Sequence, residues 1–227
     1  TINMFITGGR AGQVMFFASI AILIFQFFNA EKVKSLVIIL ILIPGIFFIA
    51  YQSSNLFQER VDSALKNIVR YEGININKDH WVKKETIADL ASVNTPVGER
   101  ISYALFSWRI FSENPIIGVG TGDLPMEFER LNAVYSPSMA TTSHPHNMYS
   151  LISVQLGLVG LVSLFSIFYY QIKLSFKSSS RFIRDVGVAL PLMFLLIMLS
   201  DSYLLGHYTT LMYIFFSSFL YKDFEKT

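Results

Sequence analysis

The sequence predicts an all-α protein, a polytopic bundle of transmembrane helices carrying a long, partly helical outer segment. Three observations lead there. The chain is 52% hydrophobic with 21 Phe among 227 residues, and only 15% of it is charged, against about 25% in ordinary soluble domains. Its mean hydropathy is +0.47. Its apolar residues gather in five runs, most of them close to the roughly 20 residues that a helix needs to cross a hydrocarbon core.

The runs cover residues 11–28, 35–51, 148–172, 186–200 and 202–221. The second contains Pro44-Gly45, a kink that a membrane helix tolerates. The fourth is the shortest, and it extends toward Arg184 if the stem of that residue snorkels to the interface. The charges between the runs orient them. Lys32 and Lys34 separate the first two. Lys173, Lys177, Arg181 and Arg184 separate the third from the fourth, and Lys222 and Lys226 follow the fifth. These short segments hold eight Lys or Arg and four acids, so the positive-inside rule places them in the cytoplasm. Residues 52–147 then face outward, with nine Lys or Arg and eleven Asp or Glu and no positive bias. The link around 201–208 faces outward too and has no Lys or Arg.

A segment as long as 52–147 calls for structure of its own. Asn55 to Tyr71 has apolar residues at helical spacing. Thr95-Pro96 reads as an N-cap and first-turn proline. The helix it starts turns Ile101, Leu105, Trp108 and Ile110 or Phe111 toward a packed surface, and Asn114-Pro115 ends it. Gly118, Gly120 and Gly122 follow in a turn-rich stretch that neither follows a strand nor opens a clear helix, which argues against a dinucleotide or phosphate loop. The absence of Cys excludes disulfides and thiolate metal sites. The chain begins at Thr1 without a leader-like pattern, so it is expected to be a fragment whose N-terminal spans are missing.

The polar residues that stand out lie on the outward side. His144-Pro145-His146-Asn147 opens the third run. On a helix continued through it, His146, Ser150, Ser153, Gly157 and Gly160 fall on one stripe. Small residues on such a stripe mark a helix-packing face, so His146 points into the bundle. An imidazole there serves either as a base, since it changes charge near neutral pH, or as a helix cap bonded to a loop. His144 has no helical register with His146, and no carboxylate stands at a ligand-like spacing from the pair, so no metal is expected. Arg10, at the outer end of the first run, is either an interface anchor or a phosphate ligand, and Arg60 has the same two readings. Arg100 and Arg109 lie nine residues apart, on opposite faces of their helix, so at most one of them faces a common site.

In this order the residues resemble the O-antigen ligase and O-antigen polymerase superfamily of bacterial envelope glycosyltransferases. Thr7-Gly8-Gly9-Arg10-Ala11 is similar to its Ser-Arg-Gly-Ala-type opening of a span. Gly98-Glu99-Arg100 with Pro115 is similar to its Gly-Arg…Pro segment, although Glu99 interrupts the pair and Ala104 stands where an aromatic is usual. Pro115-Ile116-Ile117-Gly118-Val119-Gly120-Thr121-Gly122 resembles its Pro-Leu-x-Gly-x-Gly-x-Gly stretch. His146-Asn147 with Gly157 and Gly160 resembles its His-Asn-x9-Gly-x-x-Gly signature.

The resemblance implies a multi-pass protein of the bacterial inner membrane with its active site facing the periplasm. Residues 1–51 form two transmembrane helices, 52–147 a periplasmic helical loop, and 148–227 three transmembrane helices with a short cytoplasmic tail. It implies an undecaprenyl-pyrophosphate-linked glycan donor, a glycan or lipid A-core acceptor, the lipid bilayer as surroundings, no nucleic acid, no cofactor and no metal. His146 is the expected base, with Arg10, Arg100 and Arg60 as candidates to hold the pyrophosphate and Asn147 and His144 as orienting neighbours. A transporter of lipid-linked sugars would place ionisable groups in mid-membrane, where these runs have almost none. A non-catalytic assembly protein would leave the outer histidine and arginines dispensable.

Overall fold

The computed structural model describes residues 10–28, 31–72, 96–135 and 142–221. The Thr7 to Gly9 part of the first motif, the cap at Thr95, and Lys222 and Lys226 lie outside them. Among the described residues the chain is all-α, with eight helices and no strand. They are α1 (Arg10–Phe27), α2 (Lys32–Ser53), α3 (Asn55–Glu72), α4 (Pro96–Glu113), α5 (Leu124–Tyr135), α6 (Met148–Ser175), α7 (Arg181–Ile197) and α8 (His207–Leu220). The chain divides into two compact units. One comprises Thr1–Asp62, Ile167–Ile197 and Tyr203–Thr227, the other Ser63–Ser166 and Met198–Ser202.

In the first unit α1 packs on α2 and α7, and α7 packs on α8. Helix α7 buries Gly187, Pro191, Phe194 and Ile197, an i, i+4, i+7, i+10 stripe. Gly187 permits the closest approach, since a Cβ there would lie 2.5 Å from Ser175 Oγ. Polar side chains satisfy one another: the Tyr213 hydroxyl donates to Gln171 Oε1 at 2.8 Å, and Gln171 Nε2 donates to Ser217 Oγ at 3.2 Å. In hydrocarbon each unmet polar group would cost several kcal/mol. The outer face of α2 exposes Val33, Leu40, Ile41, Phe48 and Ile49, as expected of a helix whose solvent is lipid. Among the described residues, α2 with 22 residues and α6 with 28 are long and apolar enough to cross a membrane. Helix α1 has a shorter apolar stretch, Met15–Phe27, and α7 and α8 have 17 and 14 residues.

In the second unit α4 packs on α5. Tyr103 stacks on Phe128 with ring centroids 5.7 Å apart, and Phe106 meets the same ring edge-on at 6.0 Å. Ile110, Leu124 and Leu131 complete this core. The packed face of α4 therefore runs through Tyr103, Phe106 and Ile110 rather than through Trp108, which is 56% exposed. Ser102 and Ser107, both buried, let α4 seat on its narrow side, and the bulkier Trp108 is left outside. Arg109 and Arg130 converge on Glu113, each at 2.7 Å, and Arg130 also contacts Glu127 at 2.7 Å. This exposed network ties α4 to α5.

The backbone of α6 is broken at Gly157, whose φ of 61° and ψ of −152° lie in a region that only glycine occupies readily. The break leaves carbonyls unpaired on one side and amides on the other. The turn after α4 supplies both sets of partners. The amides of Val119 and Gly120 donate to the carbonyls of Val154 and Gln155 at 2.9 and 3.0 Å, and the amides of Leu158 and Val159 donate to the carbonyls of Pro115 and Ile116 at 2.8 and 3.1 Å. The backbones touch, so a Cβ on Gly157 would lie 2.4 Å from the Ile116 oxygen and one on Gly118 2.4 Å from the Val154 oxygen. Gly157→Ala and Gly118→Ala are each expected to destabilise the protein by more than about 3 kcal/mol. The yield and melting temperature of detergent-purified protein check this, and wild-type values for either variant would contradict the exchange.

Candidate functional site: a histidine pair and a distant aspartate

Helix α6 begins at Met148, so His146 precedes it. The capping residue is Asn147, whose Oδ1 accepts from the amides of Tyr149 and Ser150 at 2.9 and 3.1 Å. Its Nδ2 donates to the Leu199 carbonyl at 3.1 Å. Beside it the Met148 amide donates to the Met198 carbonyl at 2.9 Å. These bonds hold residues 198–202 against the mouth of α6, and they carry Asp201 to the histidines.

His146 Nδ1 lies 3.3 Å from Asp201 Oδ1, and His144 Nδ1 lies 3.8 Å from the same oxygen. Among the described residues neither nitrogen has a hydrogen-bond partner, and both are buried, so these are ion-pair distances rather than aligned hydrogen bonds. The imidazoles pack edge to face with centroids 4.3 Å apart, on either side of the buried Pro145. The Ser202 amide donates to Asp201 Oδ1 at 2.7 Å, which fixes the carboxylate. The three side chains are each about a third exposed, at 34%, 36% and 38%, so the cluster opens to solvent. The ring of Tyr103, on α4, lies 6.2 Å from that of His146. Burial and then the charge of Glu99 push the Tyr103 phenol above the usual tyrosine range, so it remains a neutral hydroxyl.

His146 has φ of 52°, the one positive value for a non-glycine among the described residues. The left-handed turn and the break at Gly157 overturn the continuous stripe expected from 146 to 160. Asn147 and its bonds set the direction of His146, not helical register. Arg100 lies three residues before Tyr103 on α4, on the same helix face, and has no ion-pair partner among the described residues. Arg109 is engaged by Glu113. Arg10 opens α1, and Arg60 lies half-buried on α3, both in the first unit. Asp201 is the residue of this cluster that sequence reasoning missed. Its only signal was that it begins the second outward link.

A family model described as O-antigen ligase matches residues 1–165. The chain belongs to the O-antigen ligase family. No curated protein matches it. Membership carries membrane association and O-antigen ligase-type glycan transfer in general. The matched span includes the glycine turn, the break in α6 and the pair His146-Asn147, whereas Asp201 lies beyond it. In this member of the family, then, the matched histidine meets a carboxylate from outside the matched region.

Three substitutions separate these contributions. Asn147→Asp keeps the cap but turns a carboxylate toward the Leu199 carbonyl, and it is expected to cost about 1 to 2 kcal/mol. His146→Gly relieves the left-handed backbone that His146→Ala retains, so it should be the more stable of the two by about 1 kcal/mol. Thermal unfolding of the purified variants measures both, and equal stability of the two His146 variants would argue against the strained turn.

Proposed function

We propose that this protein transfers a glycan from a polyprenyl-pyrophosphate carrier, of the undecaprenyl class, to an acceptor hydroxyl on the periplasmic face of the inner membrane. The acceptor is another glycan or lipid A-core. The observation that carries the reading is the approach of Asp201 to Nδ1 of His146 at 3.3 Å. A carboxylate there favours a proton on Nδ1 and leaves Nε2 with its lone pair free. Nε2 takes the proton of the acceptor hydroxyl, and the oxygen forms its bond to the anomeric carbon of the donor. The bond from that carbon to the pyrophosphate breaks, and the carrier leaves with the electron pair. The imidazolium then returns its proton to water.

The leaving pyrophosphate accumulates negative charge, which a positioned guanidinium stabilises. Arg100 is the best placed, because it shares a face of α4 with Tyr103, and the Tyr103 ring stands beside that of His146. Arg10 and Arg60 remain candidates for the carrier's second phosphate. The lack of Lys or Arg in 201–208 and the unbiased charge of 52–147 support an outward orientation for the cluster.

Transfer is measured with the full-length protein in membranes, a lipid-linked donor and alternative acceptors. His146→Ala is expected to lower the rate by about 10²–10⁴-fold, the usual contribution of a general base, while the protein still inserts. Normal transfer by that variant would end the assignment. Asp201→Asn, which favours the wrong tautomer, is expected to lower it by roughly 10²-fold. Arg100→Ala should also be slow, whereas Arg109→Ala removes only an exposed ion pair and should transfer normally at a stability cost under about 1 kcal/mol. The reverse order of the two arginines would move the pyrophosphate site.

A further inference from the structure

We propose that His144, His146 and Asp201 form a binding site for a borderline divalent transition ion of the zinc class, and that the ion switches transfer off. One ligand atom from each residue lies within 4.8 Å of the other two. For a tetrahedral ion with bonds of about 2.0–2.1 Å to nitrogen and oxygen, neighbouring ligand atoms stand about 3.3 Å apart. The observed separations from Asp201 Oδ1 are 3.3 Å to His146 Nδ1 and 3.8 Å to His144 Nδ1. The donor set of two imidazoles and one carboxylate suits zinc, cobalt and nickel rather than magnesium or calcium, which prefer oxygen throughout.

A second, independent observation concerns the two Nδ1 atoms. Both are buried, and among the described residues neither has a hydrogen-bond partner. Buried polar atoms are almost always paired, and unpaired ones call for a water or an ion. Pro145, buried between the histidines, fixes the turn that directs both nitrogens at one carboxylate. The exposure of about a third on each side chain, 34% to 38%, leaves a fourth position for water.

The regulatory part rests on the proposed role of His146. An ion on Nδ1 of His146 drives the remaining proton onto Nε2. That nitrogen then has no lone pair for the acceptor hydroxyl, so the loaded site cannot act as a base. The same atoms serve the carboxylate-histidine pair when the ion is absent, and the two states exclude each other.

The test uses the full-length protein, purified in detergent through a tag without histidine and stripped with a chelator. Cobalt(II) is titrated in, the visible bands of the bound ion are followed, and zinc(II) is then used to displace it. One equivalent of tetrahedral cobalt is expected, with affinity at least about tenfold weaker in His144→Ala, His144→Gln and Asp201→Ala. Wild-type protein that binds no cobalt, or variants that bind it unchanged, would overturn the site. Transfer by each protein is measured with and without zinc, relative to its own metal-free rate. Zinc should inhibit the wild type, and His144→Gln should need at least about tenfold more. Inhibition that does not shift in that variant would overturn the switch. Should His146→Ala transfer normally, the base assignment fails, and the cobalt titration still decides the ion site.

Discussion

The reciprocal exchange of backbone hydrogen bonds at Gly157 is the constraint on which the second unit depends. A helix interrupted in its middle exposes donors and acceptors that apolar surroundings cannot satisfy. Here four bonds to residues 115–120 meet that need. They also bind the end of α4 to the body of α6, and α4 carries Tyr103 and Arg100. The placement of the Tyr103 ring beside His146 thus depends on two glycines, Gly118 and Gly157, that let backbone touch backbone.

A smaller exchange works the same way at the mouth of α6. Asn147 caps the helix with its oxygen and holds the 198–202 turn with its nitrogen. The oxygen of that amide accepts from two backbone amides and its nitrogen donates to one carbonyl, so its orientation is unambiguous. The pairing of the histidines with Asp201 is therefore held by the capping residue of α6. The sequence of dependence runs from cap to turn to carboxylate to imidazole.

Much of this was legible before the structure. The ends of α3, α4 and α6 follow from proline, asparagine and the apolar runs, because those signals are local. The packed face of α4 was misplaced at Trp108 but not at Ile110, because the spacings 101, 105, 108 and 103, 106, 110 are both helical and periodicity alone does not choose between them. Helix α5 has Pro125 in its first turn and mixed periodicity, and it forms against the aromatic face of α4. The stripe through His146 failed because one left-handed residue and one glycine break reset the helical phase, and phase is what periodicity reads. Asp201 was out of reach because it meets His146 through topology alone, across the whole length of α6 and α7.

Chain order gives the exchange at Gly157 a direction in time. Residues 115–120 are made before residues 154–159, so the carbonyls of Pro115 and Ile116 already exist when their donors are synthesised. Until they meet, α6 has an alternative in which Gly157 is simply helical, at a cost of about 1 kcal/mol relative to alanine. That continuous helix satisfies its own amides and leaves the glycine turn unbound. The first half of α6 and the outer segment are thus two parts of one choice, made once, between a straight rod and a docked hinge.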